Sequence, residues 1–213
     1  MCNQFRLPKL AQIKKYLNAD LNLPLVEPQI DIFEEKDIFP NQIAPVLLYQ
    51  DQKLQLINKN WGYPSPVDSN PLFNARIERF YETKPSMWDE SFAKQRCLIL
   101  TNEFFEYSKN TYHASNGKSY HERYSFKSKQ PITMIAGIYD QNNFAMVTTK
   151  PNSTMQPIHN RMPLVIEPQE LRRWLFQNFT SLINREKIAL QVEKNNSFIQ
   201  KKNEKIKADC GYS

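Results

Sequence analysis

Residues 148–163 read TTKPNSTMQPIHNRMP. The run entering this stretch, Phe144–Thr149, has the apolar and β-branched character of a strand, and Leu164–Ile166 after it reads as strand again. Between them Pro151, Pro157 and Pro163 each fix their own φ and push the preceding residue toward extended geometry. The stretch is therefore a stiffened, non-helical loop between two strands, and it delivers His159, Asn160 and Arg161. Two readings are open for it: a solvated loop with an incidental histidine, or a site built on a rigid connection.

Outward from this loop the chain is rich in strands. Ile132–Tyr139 is a β-rich run joined to Phe144–Thr149 through a turn at 140–143, and Arg96–Leu100 is a strand carrying Cys97 as a small buried hydrophobe. Val46–Tyr49 and Lys53–Ile57 flank Gln50–Gln52 as a hairpin, and the polar residues between His113 and His121 form a hairpin tip. Trp61 is expected in the core.

Helices are few and short. Leu10, Ile13 and Leu17 give an amphipathic helix over Pro8–Asn18, with Pro8 near its start. Ser86 opens a second with a capping-box-like serine, and Pro168 a third, whose Leu171, Trp174 and Leu175 face inward while Arg172 and Arg173 face out. Leu21–Gln42 reads as loop with short strands, Ile183–Val192 as either strand or helix, and the tail from Lys194 as peripheral, with Phe198 and Ile199 able to dock.

The 213 residues show no internal repeat and no linker, so one domain spanning 1–213 is expected. Only four glycines occur, and neither GxGxxG nor GxxxxGK[ST] is present, which disfavours a glycine-rich phosphate loop. No apolar run approaches the roughly 18 residues of a membrane span, and the first residues, MCNQFRLPKL, have no signal-peptide core; a soluble, cytoplasmic protein is expected. Cys2, Cys97 and Cys210 are odd in number and lack metal-ligand spacing, which argues against a disulfide framework and structural zinc. The net charge of +6 permits an anionic partner such as nucleic acid, although the lysines of Lys194–Lys207 supply part of it.

Three further positions carry chemistry. Cys2 follows the initiator, which cells usually remove before so small a residue. Its α-amine, near 7.7–8.0, and its thiol, near 8.5, would then both titrate about neutrality. Such a 1,2-aminothiol condenses with aldehydes; the alternative is a cysteine at position 2 by chance. Asn74 and Arg76, two apart in extended geometry, point to one side, as an amide and guanidinium for an oriented anion or as surface groups with Arg76 paired to Glu78 or Glu82. Glu106 lies among aromatics in a strand; it either faces water at an edge or has its charged form disfavoured by burial, which tunes it as a general acid/base.

Together, Met1–Cys2, WGY at 61–63, NARIE at 74–78, RCLILTNEFFEY at 96–107, AGIY at 136–139 and TTKPN…PIHNRMP resemble, in order and spacing, the SOS response-associated peptidase family. Its members cap abasic sites in single-stranded DNA, and the resemblance runs from Met1 to about Trp174. It implies an α+β fold of mostly antiparallel strands curled into a partly open barrel with peripheral helices, and a basic groove leading to the N-terminus. It further implies that Cys2 is the nucleophile, Asn74 positions its amine, Glu106 is the acid/base and His159 assists proton transfer. Arg76 and Arg161 would hold phosphates, with Tyr107 and Thr149 completing the DNA contact.

The implied partner is abasic single-stranded DNA, bound by a monomer without metal or cofactor. Autocatalytic release of Met1 would make the chain a thiol-dependent autopeptidase as well as a crosslinking, lyase-type enzyme. The sequence departs from the family at Asn3-Gln4, where Gly-Arg is usual, at Tyr107, where tryptophan is usual, and at Asn102-Glu103, where Asp-Gly is usual; the second tryptophan usual after WG is also not evident. Lys94, Lys109 and Lys150 are basic residues available to compensate. Two other activities stay open: a cysteine peptidase using Cys2 and His159 on peptides in trans, and a non-catalytic single-stranded-DNA-binding module.

Overall fold

The structure, a computed structural model, describes residues 2–26, 34–114 and 116–196. Met1, Phe198, Ile199, Cys210 and part of the 21–42 segment lie outside them. In chain order the strands are β1 Phe5–Leu7, β2 Lys36–Ile38, β3 Ile43–Gln50, β4 Lys53–Trp61, β5 Asn74–Arg76, β6 Arg96–Thr101 and β7 Glu103–His113. They continue with β8 Ser119–Ser128, β9 Thr133–Tyr139, β10 Asn143–Thr149, β11 Met162–Pro163, β12 Val165–Ile166 and β13 Leu190–Lys194. Among the described residues, three short α-helices, α1 Leu10–Lys15, α2 Asp89–Lys94 and α3 Leu171–Phe176, accompany them, so the α+β class is as expected.

Two sheets form. In the first, β13, β8, β7, β1 and β2 lie side by side and antiparallel. In the second, the pairings run β11-β10-β4-β3-β6-β9-β12, with β5 beside β10. Because β10 also pairs with β9, strands β10, β4, β3, β6 and β9 close on one another into a partly ring-like sheet, in keeping with the curled antiparallel strands expected. Its pairings are antiparallel except those of β10 with β4 and β5.

The period-2 alternation of the strands explains why β6, β9 and β10 are apolar on consecutive residues. Leu98 and Leu100, Ala136 and Ile138, and Ala145 and Val147 point to one core, together with Ile13, Leu17, Phe92, Leu171 and Trp174 from the helical side. Cys97 and Ile99, Ile135, and Phe144 and Met146 point to the other core, against Phe5, Leu7, Phe104 and Phe126 of the first sheet. Strands buried on both faces are thus the middle layer between helices and a second sheet. At Gly137 the β9 backbone passes so close to β6 that a Cβ would lie 2.8 Å from the Cys97 sulfur.

The β3–β4 hairpin is longer than its apolar kernel predicts. Its two-residue turn holds Asp51 at φ 52° and Gln52 at φ 61°, the left-handed pair that matches the twist of the flanking strands. The first helix ends earlier than the heptad spacing suggests, since after Lys15 the backbone widens into a π-type turn over Tyr16–Asp20 that still buries Tyr16 and Leu17. The ambiguous 183–192 segment resolves into a loop and the start of β13, which pairs with β8.

Trp61, fully buried, packs against Phe5, Phe73 and Phe144, and its Nε1–H donates to the Phe73 carbonyl at 2.9 Å. That bond anchors the residue preceding Asn74. Trp61→Ala is expected to remove about 3–5 kcal/mol of stability, read as a lower urea midpoint at unchanged m-value.

Candidate active site

The N-terminal strand brings the first residues to the site. β1 lies between β2 and β7, with Phe5 opposite Phe104, and the Phe105 N–H donates to the Gln4 carbonyl at 3.0 Å. This register sets Cys2 beside Phe105 and Glu106. Cys2 is fully buried, and its Sγ–H donates to the same Gln4 carbonyl at 3.4 Å. Burial first, and then the neighbouring Glu106 charge, push its thiol well above the usual thiol range, so it is neutral at physiological pH.

Glu106, on the same strand, is 2% exposed. Of the two readings open for it, burial is what the structure shows. That burial raises its carboxyl from 4.5 to about 7, against the pull of the Tyr107 backbone N–H. A carboxyl that is part acid and part base at neutrality thus sits within electrostatic reach of a neutral thiol.

Asn74 arrives from the other sheet. β5 runs parallel to β10 with Asn74 opposite Met146 and Arg76 opposite Thr148. The Asn74 Nδ2–H donates to the Cys2 carbonyl at 2.9 Å, bridging 72 positions of sequence. Its Oδ1 is buried and has no hydrogen-bond partner among the described residues, an acceptor held ready beside Cys2. The Arg76 side chain, from the same three-residue strand, is exposed.

The loop after β10 is held by more than its prolines. Asn152 donates through Nδ2 to the Ile188 carbonyl and accepts through Oδ1 from the Met155 N–H, and the His159 N–H donates to the Met155 carbonyl at 2.9 Å. Within this stiffened loop, residues 153–158 coil through consecutive turns, because an asparagine side chain nucleates the turn. His159 is half-buried, with Nδ1 3.0 Å from the Arg161 main-chain nitrogen and 3.1 Å from the Arg161 carbonyl oxygen, so the ring tautomer decides whether Nδ1 accepts from the one or donates to the other. Burial lowers its pKa, which keeps the ring neutral at pH 7.

Arg161 is engaged within the protein. Both terminal nitrogens donate to Glu78 at 2.8 Å, and one also donates to the Thr148 carbonyl at 2.8 Å. Against a burial penalty, this fork holds the Glu78 carboxyl below its ordinary value. Glu78 had been considered as a partner for Arg76; the fork comes instead from 83 positions away. Thr149 is fully buried and donates its hydroxyl to the Ile183 carbonyl at 2.8 Å, so its side chain presents nothing at the surface.

A groove of about 620 Å³ connects two of the expected positions: Tyr107 on β7 and His159 share its lining with Lys109, His121, Pro157 and Ile158. His121, to which the sequence assigned no role, sits here only because β7 and β8 pair, and no local pattern marks it. The structure thus gathers Cys2, Asn74 and Glu106, sets His159 and Tyr107 along one groove, and leaves Arg76 exposed near the Glu78–Arg161 pair.

The chain falls in a defined class. Residues 1–204 match the family described as SOS response associated peptidase (SRAP), and the chain belongs to that family. Among its relatives, it is 25% identical over 190 residues to the abasic site processing protein YoqW of Bacillus subtilis (strain 168), covering 82% of this chain and 80% of that one. It is 27% identical over 153 residues to the abasic site processing protein YedK of Escherichia coli (strain K12), covering 68% and 65%. A crystal structure of a protein from Bacteroides thetaiotaomicron shares the fold with a TM-score of 0.69 at 20% identity, covering 93% of this chain and 94% of that one.

Proposed function

We propose that this chain processes abasic sites in single-stranded DNA by capturing the ring-opened sugar as a thiazolidine on Cys2, after release of Met1. The observation that carries the reading is the enclosure of the Cys2 thiol beside a carboxyl poised near neutrality, with the Asn74 amide bonded to the Cys2 carbonyl. Abasic sites carry an aldehyde in their open form, and a terminal aminothiol is the matching trap. The names of YoqW and YedK support the substrate class.

In this mechanism the freed Cys2 amine adds to the aldehyde carbon, and the resulting carbinolamine loses its hydroxyl as water with a proton from Glu106. The iminium so formed accepts the Cys2 sulfur, whose S–H proton returns to Glu106. One C–N and one C–S bond form, one water leaves, and the carboxyl ends as it began. The buried, neutral thiol suits this order: it waits for the iminium rather than attacking first. The unpartnered Asn74 Oδ1 is available to accept from the amine and aim its lone pair. Neutral His159 serves the opening sugar as a proton carrier.

Along the groove, Tyr107 offers a ring on which a flanking base stacks and Lys109 a charge for phosphate. Arg76, exposed, is the ready phosphate contact; Arg161 reaches phosphate only by giving up Glu78. Thr149 has no direct part. The test is incubation with an abasic and an intact oligonucleotide followed by a denaturing gel: a retarded band with the abasic strand alone is expected, and no band with either would refute the proposal. Asn74→Ala is expected to slow adduct formation about tenfold or more by losing the amine's orientation, measured in single-turnover time courses.

A further inference from the structure

Beneath the site, on the first sheet, Arg123 of β8 is 1% exposed, although it carries a charge. Its backbone lies opposite Tyr107, and its guanidinium crosses β7, stacking 3.6 Å from the centroid of the Phe105 ring. There its Nε–H donates to the side-chain carbonyl of Gln4 at 3.3 Å, a contact 119 positions apart in sequence. Gln4, fully buried, donates in turn through Nε2 to Asp37 of β2 at 3.0 Å, and Asp37 also receives the Arg6 Nε–H at 2.9 Å.

The polarity of this chain of contacts is fixed. An arginine only donates and an aspartate only accepts, so the Gln4 amide has one orientation that satisfies both. The Gln4 main-chain carbonyl is the acceptor for the Cys2 thiol and for the Phe105 N–H. A buried cation on β8 is therefore connected, through one side chain, to the residue that holds the sulfur.

We propose that Arg123 is a positioning residue for adduct formation: by locking the Gln4 side chain between itself and Asp37, it fixes the Gln4 carbonyl and, through it, the place of the Cys2 sulfur. This rests on the function proposed above. Arg123 touches neither sugar nor DNA, so its influence falls on the bond-forming rate and not on strand affinity.

The experiment is a double-mutant cycle in single-turnover crosslinking to an abasic oligonucleotide, with the limiting rate and the half-saturating DNA concentration read separately. Arg123→Met is expected to lower the limiting rate about tenfold with the half-saturating concentration essentially unchanged. Gln4→Leu is expected to do the same, and the pair together to be no slower than the slower single variant. Losses that multiply, or a change in half-saturation in place of rate, would overturn the proposal. If Arg123→Met does not fold, Arg123→Lys keeps the charge without the planar stack and the Nε contact; it is expected to lose rate, and a full wild-type rate would overturn the proposal. Failure of the wild-type chain to crosslink at all would refute the parent reading, whereas wild-type crosslinking untouched by the Arg123 variants refutes this one alone.

Discussion

Glu106→Gln is expected to make the protein more stable at pH 8 and much slower as a catalyst. Burial raises this carboxyl from 4.5 to about 7, so between those values the folded chain keeps a proton that the unfolded chain has released. Stability therefore falls as pH rises through that window, and above it the ionised, buried carboxylate costs about 3 kcal/mol. A glutamine of the same shape never ionises and avoids that cost. Its melting temperature at pH 8 should exceed the wild-type value by roughly 5–10 °C for a chain of this size, with the gap closing toward pH 5. A variant less stable than wild type by the same margin at both pH values would show that Glu106 is not held against its charge.

In the proposed mechanism, the same substitution removes the proton that expels hydroxide from the carbinolamine and the base that receives the thiol proton. A loss of about a hundredfold or more in adduct rate is expected. For the wild-type chain, the acid form of Glu106 is needed at dehydration, while the amine must be unprotonated to attack. Crosslinking should therefore be fastest near neutrality and fall on either side, and the alkaline limb should disappear in Glu106→Gln.

Cys2→Ala is the second large effect, and it separates the two functions of one residue. An alanine freed at the terminus still presents an amine, so an imine to the abasic sugar should form and be trapped by borohydride. Without sulfur the ring cannot close, and the adduct that survives denaturation and hydrolysis should vanish. Equal yields of hydrolysis-stable adduct from Cys2→Ala and wild type would exclude the thiol from the product. The burial that holds the thiol neutral also bears on a peptidase acting in trans, since thiolate character is what such a nucleophile requires.

How far the sequence foretold this depends on the range of the interaction. Strands β3, β6, β9 and β10 were legible because consecutive apolar residues must bury on both faces, β4 because its apolar residues alternate, and the site's loop because proline restricts its neighbours. The residues meeting at Cys2 were named through motif resemblance, and composition alone would not have joined Asn74 to a carbonyl 72 positions earlier. Pairings decided by sheet order stayed invisible: Arg161 with Glu78, Arg123 with Gln4, and His121 in the groove all depend on which strands become neighbours. Thr149 illustrates the converse, a polar residue in the right segment whose hydroxyl the Ile183 carbonyl takes inward. The π-type turn after α1 shows local spacing overridden by the need to seat Tyr16 and Leu17 in the core.

In the proposed adduct a freed Cys2 supplies both the nitrogen and the sulfur that bond the sugar carbon. The deciding measurement is the intact mass of the purified adduct with an abasic oligonucleotide, followed by peptide mapping. The expected mass is that of the chain without Met1 plus the oligonucleotide less one water, with the mass increment confined to the peptide that begins at Cys2. An adduct on a chain that still carries Met1, or an increment located on a lysine, would contradict it.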